Sequence, residues 1–166
     1  MPVLLALAML ALLVAAAWHD VLTRTIPDSV SLLVLAVGVL AQLLDGASAI
    51  VGSAATAILL FVVLLVAFTR GWLGGGDVKL MAALAVGLPP HDCYRFLVAT
   101  ALAGGVLALV YLLLSRTKTT APAITHRSLF RRILAVEGWR IRHRGPLPYG
   151  VAIAAGGAFV LLQAGG

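Results

Sequence analysis

Charged residues in this chain fall in short breaks between long apolar runs. Charge-free runs cover residues 2–18, 30–44, 47–69, 96–115 and 147–166, and a shorter apolar stretch covers 78–88. The five long runs are each near the length a helix needs to cross a bilayer's hydrocarbon layer. None shows the apolar/polar alternation of a barrel strand, and open backbone is not tolerated in lipid, so the runs predict helices. The pattern therefore predicts an all-α, polytopic membrane protein of about six transmembrane helices. It forms a single domain over residues 1–166, with no internal repeat and no low-complexity linker.

Composition agrees. Of 166 residues, 62% are hydrophobic and 11% charged, which is more apolar material than a soluble domain of this size buries. Ala15 and Ala17 have the small-x-small spacing of a signal-peptide cleavage site, but no basic segment precedes the first run, which is read as a mature span. Orientation follows from the basic residues between runs. The first, third and fifth breaks hold eleven Lys and Arg, from Arg24 to Arg144, against Arg95 alone in the other two. Basic residues collect on the cytoplasmic side, so the amino terminus is expected outside. The net charge of +6 is explained by this orientation without nucleic acid as a partner. The single cysteine, Cys93, excludes an internal disulfide and a multi-cysteine zinc site, and the four histidines show no metal-ligand spacing. No metal or cofactor is expected.

In this topology Asp20 lies where the first run leaves the membrane on the cytoplasmic side, and Asp77 lies where the fourth enters it from the same side. Ionisable groups at such positions are costly and point to function. Two neighbouring carboxylates cannot both ionise easily, so they share a proton and divide into a base and an acid. One activates water for attack on a peptide carbonyl while the other donates a proton, which is aspartic-protease chemistry. Gly74, Gly75 and Gly76 precede Asp77 and open the backbone to a close approach by substrate. Neither a phosphate-binding loop nor a dinucleotide fingerprint follows these glycines. Asp77 is also placed to cap the helix after it.

Three segments in order resemble the type IV prepilin peptidases, membrane aspartic peptidases with a G-x-G-D signature, and in particular the short members of tight-adherence (Flp) pilus systems. "DVLTRTIPD" is similar to the family's first aspartate and its Ile-Pro segment, "GGGDVKLMAALAVGL" to the second-aspartate motif, and "PLPYGVAIAAGG" to the closing Pro-Tyr-Gly span. The resemblance implies Asp20 and Asp77 as the catalytic pair. It also implies a bacterial inner-membrane location and pilin or pseudopilin precursors as substrates, cut at the cytoplasmic face behind a short basic leader. Nothing here corresponds to the added domain with which long members methylate the new amino terminus. Presenilin-like and archaeal preflagellin peptidases share the G-x-G-D signature.

Asp28 stands where the family often has Asn, and three roles are open to it: raising a neighbour's pKa, attracting a basic leader, or capping the second helix. Lys79 either favours the ionised form of Asp77 or anchors the helix at the surface. His19, beside Asp20, is a candidate proton carrier with no identified partner. The basic segment at about 116–146 reads as an amphipathic helix on anionic lipid, or as a docking surface for pilus-assembly proteins. Two other classes use the same carboxylates differently: a small proton- or cation-coupled transporter, or a noncatalytic pilus-assembly scaffold. Asp45 and Asp92 at the opposite face, with no ionisable residue between the two surfaces, disfavour a relay through the membrane.

Overall fold

A computed structural model describes residues 2–116 and 147–164, together with Val136, Gly138 and Arg140. The basic segment at about 116–146 otherwise lies outside the described residues, and so does the amphipathic helix expected there. The described residues form six helices and no strand: α1 (Val3–Thr23), α2 (Asp28–Asp45), α3 (Ala47–Thr69), α4 (Gly75–Val86), α5 (Pro90–Arg116) and α6 (Tyr149–Ala164). Four of them, α1, α2, α3 and α5, are long and apolar enough to cross a membrane, so the chain is a polytopic helical protein. The remaining two are shorter. α6 has 16 residues and α4 only 12, about 18 Å of helix.

Punctuation in the sequence explains these boundaries. α1 ends at Arg24, whose φ of 59° is left-handed and whose N–H donates to the Asp20 carbonyl at 2.8 Å. Pro27 then sets the extended backbone from which α2 starts. The turn after α3 needs the positive φ of Gly71, and Gly74, in an extended conformation, is the N-cap of α4. Gly87 and the Pro89-Pro90 pair stop α4 and begin α5.

The short α4 packs against α2 and α3 on one side, while α6 packs against α1 and α5; contacts of α1 with α2, and to a lesser extent of α4 with α6, join the two groups. Met9 and Leu13 of α1, Leu80 and Leu84 of α4, Phe96 of α5 and Ile153 of α6 fill the centre, each almost wholly buried. Absent side chains permit the tightest approaches. A Cβ on Gly156 would stand 2.7 Å from the Thr100 backbone nitrogen, and one on Gly38 would stand 2.9 Å from Gly87. Gly104 and Gly157 likewise meet neighbours, whereas Gly105 faces open space.

Asp92, at the start of α5, is drawn into the protein, where Arg95 and His91 pair with it at 3.4 Å each. The outward-facing apolar residues of α1, α2, α3 and α5 remain exposed, as lipid-contacting helices require. α1 ends and α2, α4 and α6 begin at one end of the bundle, which brings their terminal turns together.

Candidate active site

At that end a cavity of about 960 Å³ is walled by the last turn of α1, the segment leading into α2, the α3–α4 turn and the start of α6. Asp20 and Asp77 both line it, from positions 57 residues apart in the sequence. Asp28, Gly74, Gly75 and Gly76 line it as well. Of the expected site residues, Lys79 is absent from its wall, and so is the candidate proton carrier His19.

Asp20 sits one turn before the end of α1 and is 5% exposed. Its Oδ2 accepts a 2.8 Å hydrogen bond from the backbone N–H of Gly150, in the first turn of α6. A Cβ on residue 150 would lie 2.9 Å from that oxygen and 3.1 Å from the carboxyl carbon. Glycine is therefore what lets α6 approach Asp20 closely enough to donate.

Asp77 occupies the first turn of α4, outside the four long spans. Its carboxyl is pushed up to about 6, first by burial and then by the charge of Asp20, while the Gly74 backbone acts in the opposite direction. The Gly74 interaction is the reach of a third-position carboxylate back to the N-cap, so Asp77 supports its helix start from inside the helix. A Cβ on Gly74 would stand 2.9 Å from Asp77 Oδ2, and one on Gly76 would stand 3.2 Å from Ile26 Cβ. The glycines thus clear the surroundings of the carboxylate and let α4 pack on the Ile26 segment.

Asp28 is not a cap. Pro27 is the N-cap of α2, and the Asp28 carboxylate instead accepts a 2.8 Å bond from Lys79 Nζ. Lys79 therefore pairs with Asp28 and points away from Asp77; the helical period separates the side chains of residues 77 and 79. His19 also turns aside. Its Nδ1 lies 2.8 Å from the Thr25 carbonyl and from Thr23 Oγ1, tying the α1–α2 connection together.

Two site features were not singled out from the sequence as contacts of the pair. The bond from Gly150 to Asp20 spans 130 residues, which no local pattern reveals. Arg140 donates to the carbonyls of Val21 and Leu22 at 2.8 and 3.1 Å, capping the end of α1 that carries Asp20. Its signal was a basic residue near a helix end, hidden among seven others in the same linker.

The arrangement of one buried, hydrogen-bonded carboxylate facing a second whose charge is disfavoured is joined by a comparison with known families. The model of the type IV leader peptidase family matches residues 7–109, a range that includes Asp20, Asp28 and the whole glycine-aspartate turn. The chain belongs to the type IV leader peptidase family. No curated protein and no solved structure matches it. Within this leader peptidase the matched range stops before α6, so the Gly150 donor is a feature read from the structure alone.

Proposed function

We propose that this leader peptidase is a membrane aspartic endopeptidase in which Asp20 and Asp77 act as one catalytic pair. The observation that carries the reading is their meeting in a single cavity at one end of the bundle, from helices far apart in sequence. Asp20, held in position by the Gly150 N–H, takes a proton from water. Asp77, whose charge burial opposes, is suited to hold the proton that the carbonyl oxygen or leaving amine receives. The protons of the pair belong to both groups, and catalysis needs the state with one proton between them.

Gly74, Gly75 and Gly76 give an extended substrate backbone access to the pair, and the Asp28–Lys79 pair borders that access. The substrates are pilin or pseudopilin precursors of a tight-adherence type system. They are cut at the cytoplasmic face of the inner membrane, where the basic linkers orient the cavity.

The test is co-expression with candidate precursors in cells lacking prepilin peptidases, followed by mass spectrometry of the precursor's amino terminus. The expected result is a shortened precursor whose new amino terminus begins at the end of the basic leader. An unprocessed precursor throughout a panel of pilins and pseudopilins would contradict the proposed substrate class.

A further inference from the structure

Beside the active-site cavity, and sharing Asp28 with it, a second groove of about 580 Å³ runs between α2, α3 and α4. Its chemistry changes in order along its length. Asp28, Ser31 and Leu35 follow one another on one face of α2, and Lys79, Ala83 and Val86 on one face of α4. At the mouth the Asp28 carboxylate and the Lys79 ammonium pair at 2.8 Å with both side chains exposed, 78% and 54%. One turn deeper, about 4.5 Å along the helix, the Ser31 hydroxyl is buried and has no hydrogen-bond partner. Below that the wall is apolar, and α2 and α4 close on one another where Gly38 meets Gly87. Exposed Leu32 and Ile58 flank the opening on the bundle's outer surface.

We propose that this groove binds one glycerophospholipid with a zwitterionic, primary-amine headgroup. The phosphate meets Lys79 and the ammonium meets Asp28, so each charge of the headgroup finds its opposite. An exposed ion pair holds together weakly, and a headgroup inserts between or across its members at little cost. The buried Ser31 hydroxyl, otherwise unsatisfied, donates to an ester carbonyl, which in such a lipid lies just beneath the phosphate. One acyl chain fills the apolar length of the groove. An anionic headgroup would satisfy Lys79 but face the Asp28 carboxylate, and a quaternary ammonium has no N–H to donate to it. A peptide fits less well, because its backbone would carry a series of N–H and C=O groups past a wall offering one hydroxyl. This inference goes beyond the peptidase reading and does not depend on it.

The test is native mass spectrometry of the delipidated full chain in mild detergent, titrated separately with dioleoyl-phosphatidylethanolamine, -phosphatidylcholine and -phosphatidylglycerol. The expected result is a single ethanolamine-lipid adduct retained at least about fivefold better than the other two. Lys79→Ala and Asp28→Asn should each remove that preference. Ser31→Ala, which deletes one buried oxygen, should weaken retention, and Ile58→Trp at the rim should block it, all with unchanged helical circular dichroism. Equal retention of the three lipids, or a preference indifferent to Lys79→Ala and Ser31→Ala, would mean ordinary surface lipid and overturn the proposal. Loss of the adduct on adding a precursor peptide, with the peptide bound instead, would assign the groove to substrate and also overturn it.

Discussion

At the residue scale, the unusual group is Asp77, a carboxyl raised from 3.8 to about 6 chiefly by burial. Its folded-state pKa lies above its unfolded one, so the ionised form is disfavoured in the folded protein. The stability associated with its neutral form is complete below pH 3.8 and is lost as pH rises through 6. The shift corresponds to at most about 3 kcal/mol, less after solvent screening of this partly exposed group. Asp77→Asn should therefore raise the thermal midpoint at pH 7.5 and leave it nearly unchanged at pH 4, measured by circular dichroism in detergent. A lower midpoint at pH 7.5 would show that burial does not oppose the charge. The same displacement sets activity. If the singly protonated pair is the active form, kcat/KM should begin to fall near pH 6 and drop about tenfold per unit above it. A profile flat to pH 8 would show that no proton on the pair is needed. Asp20 and Asp77 themselves were legible in the sequence because charge is rare in apolar runs. The partner of Asp28 was not, since Lys79 stands two residues from Asp77 in the chain but faces another way in the helix.

At the element scale, helix ends do the positioning. The last turn of α1 presents Asp20, the first turn of α4 presents Asp77, and the first turn of α6 supplies the Gly150 donor. The apolar runs reveal the helices, and Gly and Pro mark most of their limits. The apolar start of run one is found within a residue or two, yet α1 continues past Trp18 through Asp20 to Thr23, because a helix end at a membrane surface tolerates polar residues. α5 likewise begins at Pro90, ahead of the charge-free stretch that signals it, with Asp92 satisfied by Arg95 and His91. Crossing positions between helices are not written in any local period, which is why the Gly150 contact was missed. Gly150→Ala puts a methyl 2.9 Å from Asp20 Oδ2 and should displace either the carboxylate or α6. Cleavage is expected to fall by about tenfold to a hundredfold, with destabilisation of about 1–3 kcal/mol. Full activity in that variant would mean that the α6 contact does not set the position of Asp20.

At the scale of the whole molecule, two helix groups meet through α1 and α2 and through α4 and α6, and the candidate site lies at the end where chain directions bring five helix termini together. The short α4 has a role in this arrangement. A helix of 12 residues surrounded by longer ones can set a carboxylate beneath a protein rim while its own side chains form the core. The sequence showed that this segment was too short for a full span, but not that α2 and α3 would enclose it. The central claim is that Asp20 and Asp77 work as a unit, so the most direct test is cleavage of a purified precursor by the wild type and by Asp20→Asn, Asp77→Asn and Asp28→Asn, with products weighed by mass spectrometry. Cleavage is expected from wild type and Asp28→Asn, with a loss of at least about a thousandfold in each of the other two. Cleavage by Asp20→Asn or Asp77→Asn at the wild-type rate would contradict that claim.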